Sequence, residues 1–169
     1  MRDDFHKLPS LLRLVHTDSK RLEGCVSVKR GGKLANLICN VFGFPLENNK
    51  THLVVECAHF TDKMEWVRYF DGFKMSSHFI SKKQCLVEKL GPLSLEFNAI
   101  ANGATLEYQF SKTKLFGIVL PSIFSPKITA YEQEVAGKYL FFVSVRMFMV
   151  GLVLSYGGEM EVSDVSSVA

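Results

Sequence analysis

From Thr51 onward the sequence is a nearly unbroken succession of short apolar or alternating runs, each cut off by turn residues. The runs are "THLVVECAHF", "MEWVRYF", "FKMSSHFI", "QCLVEKL", "LSLEFNAI", "TLEYQF", "KLFGIVL", "ITAYEQEV", "YLFFVSV" and "GLVLSY". Their separators, "TDK", "DG", "SKK", "GP", "ANGA" and "AG", are the short polar or glycine turns of antiparallel hairpins. About ten strands at spacings of about 8 to 12 residues, with no helical period between them, predict a meander. A sheet that long curls or closes, and closure removes its exposed edges. The expected fold is therefore mainly β (α+β by content), an antiparallel meander of about ten strands curled into a barrel-like sheet. A helix-grip sheet wrapped around a long helix is the alternative, disfavoured by the absence of a C-terminal helical pattern.

Two short helices precede the meander. "LPSLLRLVH" forms the first, with Pro9 near its start, where a missing amide is tolerated. Leu34, Leu37, Ile38, Val41 and Phe42 recur at helical spacing, and "GFP" closes that second helix. Between them "EGCVSVKRGG" reads as a strand ended by a glycine pair. Residues 1–160 are expected to form one barrel-like domain, with 161–169, "EVSDVSSVA", a polar and disordered tail.

The 169-residue chain has 47% hydrophobic residues, 14 Phe, 22% charged residues and a net charge of +3, the balance of an ordinary surface over a rich core. Its lysines and arginines are scattered, so nucleic acid is not an expected partner. Four well-separated cysteines lack zinc or redox spacing; they are expected to be reduced and mostly buried, with no metal and no cofactor. The charged start "MRDDFHK" lacks a signal-peptide pattern, so the expected compartment is the cytoplasm, with any membrane association made through a partner. "YLFFVSVRMFMVGLVLSY" is long enough to span a membrane, but Arg146 near its centre would cost about 2.5 to 3.5 kcal/mol. Its β-branched content and Gly151 suit two neighbouring strands better.

Period-two alternation then places charges on apolar faces. In "MEWVRYF", Arg68 shares a face with Trp66 and Phe70; Glu88 falls with Leu86 and Leu90, Glu132 with Ile128 and Ala130, and Arg146 with Leu140, Phe142 and Phe148. Unpaired, such charges cost several kcal/mol, so each is expected to meet a partner or a bound group. Two arginines and two glutamates can form a network that fixes strand register, or the polar floor of a cavity that orients an amphipathic ligand. "KLFGIVLPSIFSP" is the other unusual stretch: Pro121 and Pro126 bracket Ile123 and Phe124, giving either a crossover loop or an apolar lip. Catalytic patterns are thin. His16 and Glu88 are the candidate bases, and neither has an orienting partner that spacing can name.

Several stretches, taken in order, resemble a known family: "LPSLLRLVH", "GCVSVKRGG", "VFGFP", "WVRYF", "VEKLGPL", "GIVLPSIFSP", "YEQEVAGKYLFFVSV" and "GLVLSYGG". From about Leu8 to Glu159 they are similar to the YndJ C-terminal-type domain, a family of unknown function. The resemblance puts His16, Arg30, Trp66, Arg68, Glu88, Pro121, Glu132, Gly137 and Tyr156 at motif positions. It implies no established activity, only an accessory role beside membrane or saccharopine-dehydrogenase-like oxidoreductase modules. Ser122 departs from the basic residue that the family often carries there, which weakens an anion contact at the loop. Two functions follow as expectations. The first is a noncatalytic domain holding a lipid-like small molecule against Arg68, Glu88, Glu132, Arg146, Trp66, His16 and Tyr156. The second is an interaction module that docks to a membrane-associated or oxidoreductase protein and keeps its charge network purely structural.

Overall fold

The computed structural model describes residues 5–82 and 85–165. After a single 3₁₀ turn, Phe5–Lys7, the chain forms α1 (Ser10–Thr17), β1 (Lys20–Arg30) and α2 (Lys33–Val41). The strands β2 (Asn48–His59), β3 (Met64–Phe70), β4 (Phe73–Lys82), β5 (Cys85–Leu90), β6 (Leu93–Asn102) and β7 (Thr105–Leu115) follow. A two-residue β8 (Ile118–Val119), then β9 (Lys127–Val135), β10 (Lys138–Met147) and β11 (Gly151–Asp164), complete the chain.

Each strand pairs antiparallel with its neighbour in sequence from β1 to β7, then β7 with β9, β9 with β10, β10 with β11, and β11 with β1. The result is a closed ten-strand barrel, with β8 as an extra ribbon folded back on the end of β7. The helix-grip alternative gives way to this closure. "TLEYQF" and the start of "KLFGIVL" are one continuous strand rather than two, because after a bulge at Ser111 the chain resumes pairing with β6 through Lys112, Thr113 and Lys114. The long apolar stretch from Tyr139 to Tyr156 is indeed two strands, joined through Phe148–Val150. Among the described residues no helix is long and apolar enough to cross a membrane.

Turn chemistry sets these hairpins. Asp71 and Gly72 both take positive φ (35° and 95°), the mirror-image turn whose twist matches the strands it joins. Gly31 answers a different demand, since a Cβ there would meet the Leu152 carbonyl oxygen at 1.8 Å. The chain also runs past the expected boundary at residue 160. Leu22 pairs with Val162 and Lys20 with Asp164, so Glu161–Asp164 belong to β11 and not to a tail; residues 166–169 lie outside the described residues. The alternation of Met160 and Val162 carries the inward face on through a stretch whose composition alone looks polar.

The helices sit at opposite ends. Leu12 and Val15 of α1 are fully buried, the Leu11 amide donates to the Glu134 carboxylate (3.0 Å), and His59 Nε2 lies 3.0 Å from the Val15 carbonyl oxygen. α2 buries Ala35 and Cys39, and its C-terminal end is held by the buried Arg30. That guanidinium donates to the Pro45 carbonyl (2.8 Å), the Phe44 carbonyl (2.5 Å) and Asn40 Oδ1 (2.8 Å). A charged donor thus ties the loop carbonyls beyond the helix to a side-chain oxygen of its last turn.

Candidate functional site

The barrel encloses a cavity of about 400 Å³ that reaches from His16 at the α1 end to Phe124 and Phe42 at the α2 end. Its two walls differ. Along β1 and β2 the inward Leu22, Val28, Leu53 and Cys57 are essentially without solvent contact. Along β10 the inward Phe141, Val143, Val145 and Met147 keep partial exposure although they face the interior. Side chains that face inside and still remain half-exposed mark space that the core does not fill.

The polar groups of this interior fall in two clusters. At the α1 end, Glu132 on β9 is buried and accepts a bond from the Tyr108 hydroxyl (2.8 Å) through Oε1, while its Oε2 lies 2.5 Å from His16 Nε2. The Tyr108 oxygen is also 3.3 Å from that nitrogen, so three side chains from α1, β7 and β9 meet at one point. The His16 ring stacks on Trp66 at 5.7 Å between centroids, and Trp66 in turn packs against Phe79. Burial, then the Glu132 charge, pushes the phenols of Tyr108 and Tyr139 well above the ordinary tyrosine range. Near neutral pH both are therefore hydroxyls that can donate.

The second cluster explains why an arginine shares a face with aromatics. Arg68 on β3 donates to Ser77 Oγ on β4 (2.8 Å), lies 3.5 Å from the Glu88 carboxylate on β5, and sits 5.4 Å from the centre of the Trp66 ring. Burial works against its charge, yet the neighbouring Tyr156 and Glu88 hold its pKa above the ordinary value. Nearby, burial pushes the Cys57 thiol up to about 12, with the Arg68 charge pulling the other way. Tyr156 lies edge-on to Phe70 and to Phe141, its phenol raised by burial against the opposing pull of Arg68.

Trp66, Arg68, Glu88, Glu132, His16 and Tyr156 therefore all line one cavity, as do Phe124 and Pro126 of the proline loop. Arg146 does not. It is exposed, makes no ion pair among the described residues, and points away from the interior, because the odd-numbered residues of β10 face inward. The expected balance of two arginines against two glutamates becomes one buried arginine against two glutamates, with His16 answering the second. Pro121 and Ile123 are exposed beyond the mouth. The turn between the two prolines is built by the Phe124 and Ser125 amides, both donating to the Pro121 carbonyl (2.9 and 3.0 Å).

Sequence reasoning missed Tyr108, Ser77 and Tyr139 as site residues. The signal for the first two was the one used for Arg68: Tyr108 alternates with Leu106, and Ser77 with Met75 and Phe79, on inward faces. Three lining residues also carry buried polar atoms with no hydrogen-bond partner among the described residues: Trp66 Nε1, Thr113 Oγ1 and the Tyr139 hydroxyl. No group of three or more His, Cys, Asp or Glu side chains among the described residues is arranged to hold a metal. All four cysteines are free; Cys39 and Cys57 are buried, whereas Cys25 is exposed and Cys85 half-buried, so burial of most of them does not hold.

A family model described as a domain of unknown function, DUF4166, matches residues 8–160, and the chain belongs to that family. No curated protein and no solved structure matches the chain.

Proposed function

We propose, taking a DUF4166 domain built as this barrel for the premise, that the protein is a noncatalytic binding domain for a lipid-like small molecule. One observation carries the proposal: the cavity of about 400 Å³ is walled by aliphatic and aromatic side chains and has hydrogen-bonding groups gathered at its closed end. That volume lies within the range of small-molecule sites, and an apolar body with a few convergent polar groups is their usual lining. The apolar part of the ligand would lie along Val143, Val145 and Phe97, with its polar end toward Tyr108, His16 and Glu132.

The charge balance refines the chemistry. With Arg146 outside, Arg68 committed to Glu88 and Ser77, and Arg30 to the Phe44 and Pro45 carbonyls, no inward arginine among the described residues remains free for an acidic head group. Glu132 would repel one. We therefore favour an uncharged, hydroxyl-bearing head, which can accept from Tyr139 and donate to the Glu132 carboxylate. An accessory role beside membrane or oxidoreductase modules is consistent with such a carrier and belongs to the same proposal.

Gentle purification followed by native mass spectrometry is the test. The expected result is a co-purifying neutral lipid-like species, and uptake of a fluorescent long-chain alcohol in preference to the matching fatty acid after delipidation. A clean apo spectrum together with no uptake of either probe overturns the proposal. Preferential uptake of the acid overturns only the assignment of the head group.

A further inference from the structure

We infer that the α2 end of the barrel is a membrane-docking face that seats on an anionic lipid surface. The apolar residues there are not scattered. Phe116 and Ile118 from the β7–β8 ribbon, Phe124 from the proline loop, Phe148 and Met149 from the β10–β11 turn, and Val41 from α2 are each more than half exposed. Strand directions bring these segments to one end, since β7 and β10 finish there and β9 and β11 begin there. Phe116 is 79% exposed and Met149 89%, and both hold positive φ (50° and 64°). A turn tip of that conformation ordinarily takes Gly, Asn or Asp, so a large apolar side chain presented there is costly unless something covers it.

Charge decides what covers it. Lys33, Lys50, Lys89, Lys127 and Arg146 stand exposed at the same end and make no ion pair among the described residues. Lys112 and Lys114 are also there but are neutralised by Glu96, and the unpaired acids at this end are Glu47 and Asp71. At the opposite end the signs are mixed: Glu159 pairs with Lys138 and Asp164 with Lys20, and Asp62, Glu107, Glu134 and Glu161 share that end with the exposed Arg13 and Lys82. Apolar tips ringed by lysine and arginine match an anionic membrane interface, where the tips enter the acyl boundary and the basic groups meet head groups. A second copy fits less well, because two such collars would face each other with like charge. Phe124 lines the cavity and is itself 60% exposed, so the docking face is also the rim of the cavity. A lipid-like molecule could pass between membrane and barrel without crossing bulk water.

Flotation of the full chain with phosphatidylcholine vesicles, with and without phosphatidylglycerol, tests the inference. The expected result is binding that requires phosphatidylglycerol and falls about tenfold when salt rises from about 0.1 M to about 1 M, which shortens the screening length from about 10 Å to about 3 Å. Phe116→Asp combined with Met149→Asp should lose at least about tenfold of that binding, while Phe60→Asp, an exposed apolar position at the other end, keeps it. The salt arm uses the unaltered chain and stands even where a variant folds poorly. No flotation on anionic vesicles, equal loss with Phe60→Asp, or self-association abolished by Phe116→Asp would overturn it. Flotation does not require a filled cavity, so its failure beside intact probe uptake counts against the docking face alone.

Discussion

At the α1 end of the barrel Leu12 and Val15 are fully buried and His16 is tied to Glu132 and stacked on Trp66, whereas at the α2 end Phe116, Phe148 and Met149 stand in solvent. Both ends draw on the same apolar residue types. Both covering helices have polar anchors, α1 in Glu134, His59 and the His16–Glu132 pair and α2 in Arg30; what separates the ends is that the ribbon and turns beside α2 present side chains that no element covers. A barrel stabilised only by filling its interior has no reason to treat its ends differently. The asymmetry sets anchored burial at one end against bare apolar tips at the other, and the proposed docking face rests on that contrast.

The largest effect should come from the charges between the ends. Arg68→Ala leaves Glu88 and Ser77 facing an apolar interior and should cost about 3 to 5 kcal/mol in urea unfolding. Arg68→Met with Glu88→Leu should recover most of that loss, as apolar replacements of buried pairs often do. If the double variant stays as unstable as the single one, Arg68 is held chiefly by Ser77 and Trp66, and the ion pair contributes little.

Next comes the contrast of the ends themselves. His16→Ala removes a ring stack and leaves the Glu132 carboxylate one partner short, and about 2 to 3 kcal/mol of destabilisation is expected. Val41→Ser, at the exposed end, should stay within about 0.5 kcal/mol. Equal losses from the two would erase the proposed division between a closed end and an open one.

Alkaline pH should act on the closed end. Tyr108 and Tyr139 have folded-state pKa values raised by burial and then by Glu132, so above about pH 10 the unfolded chain loses phenol protons that the native chain keeps. The unfolded state then binds fewer protons, and stability falls as pH rises through that range; below it these groups contribute no pH dependence. Phenolate absorbance from these residues should therefore appear together with loss of the circular dichroism of the sheet. Tyr139→Phe, which removes a hydroxyl without a hydrogen-bond partner, should move the transition to higher pH. Phenolate that forms in full while the sheet stays intact would show the closed end to be permeable.

The strand succession, both helices and the inward set Trp66, Arg68, Glu88 and Glu132 were legible because one face of each of those strands is visibly more polar than the other. β10 offered no such contrast. Leu140 and Phe142 on one face and Val143, Val145 and Met147 on the other are both apolar, so alternation could not say which way Arg146 points. Nor could it join His16 to Glu132, which lie 116 residues apart and meet only because the barrel closes and α1 folds over its end. Closure is a long-range property, and local patterns fix a strand's faces without fixing what stands opposite them.

The last effect is smaller than the losses at Arg68 and His16 and has the opposite sign. Met149 holds φ 64° with its side chain almost wholly in water, so the fold gains little from that side chain and bears the strain of a left-handed backbone. Met149→Gly should relieve that strain and raise stability by about 0.5 to 1 kcal/mol in thermal or urea unfolding, less whatever entropy glycine adds to the unfolded chain. The same change should weaken flotation on phosphatidylglycerol vesicles. A residue whose removal makes the protein more stable but less able to bind a membrane is retained for the contact and not for the fold, the reverse of His16 at the other end. If Met149→Gly is destabilising, the turn is held by packing instead, and the strain at this tip no longer distinguishes the two ends.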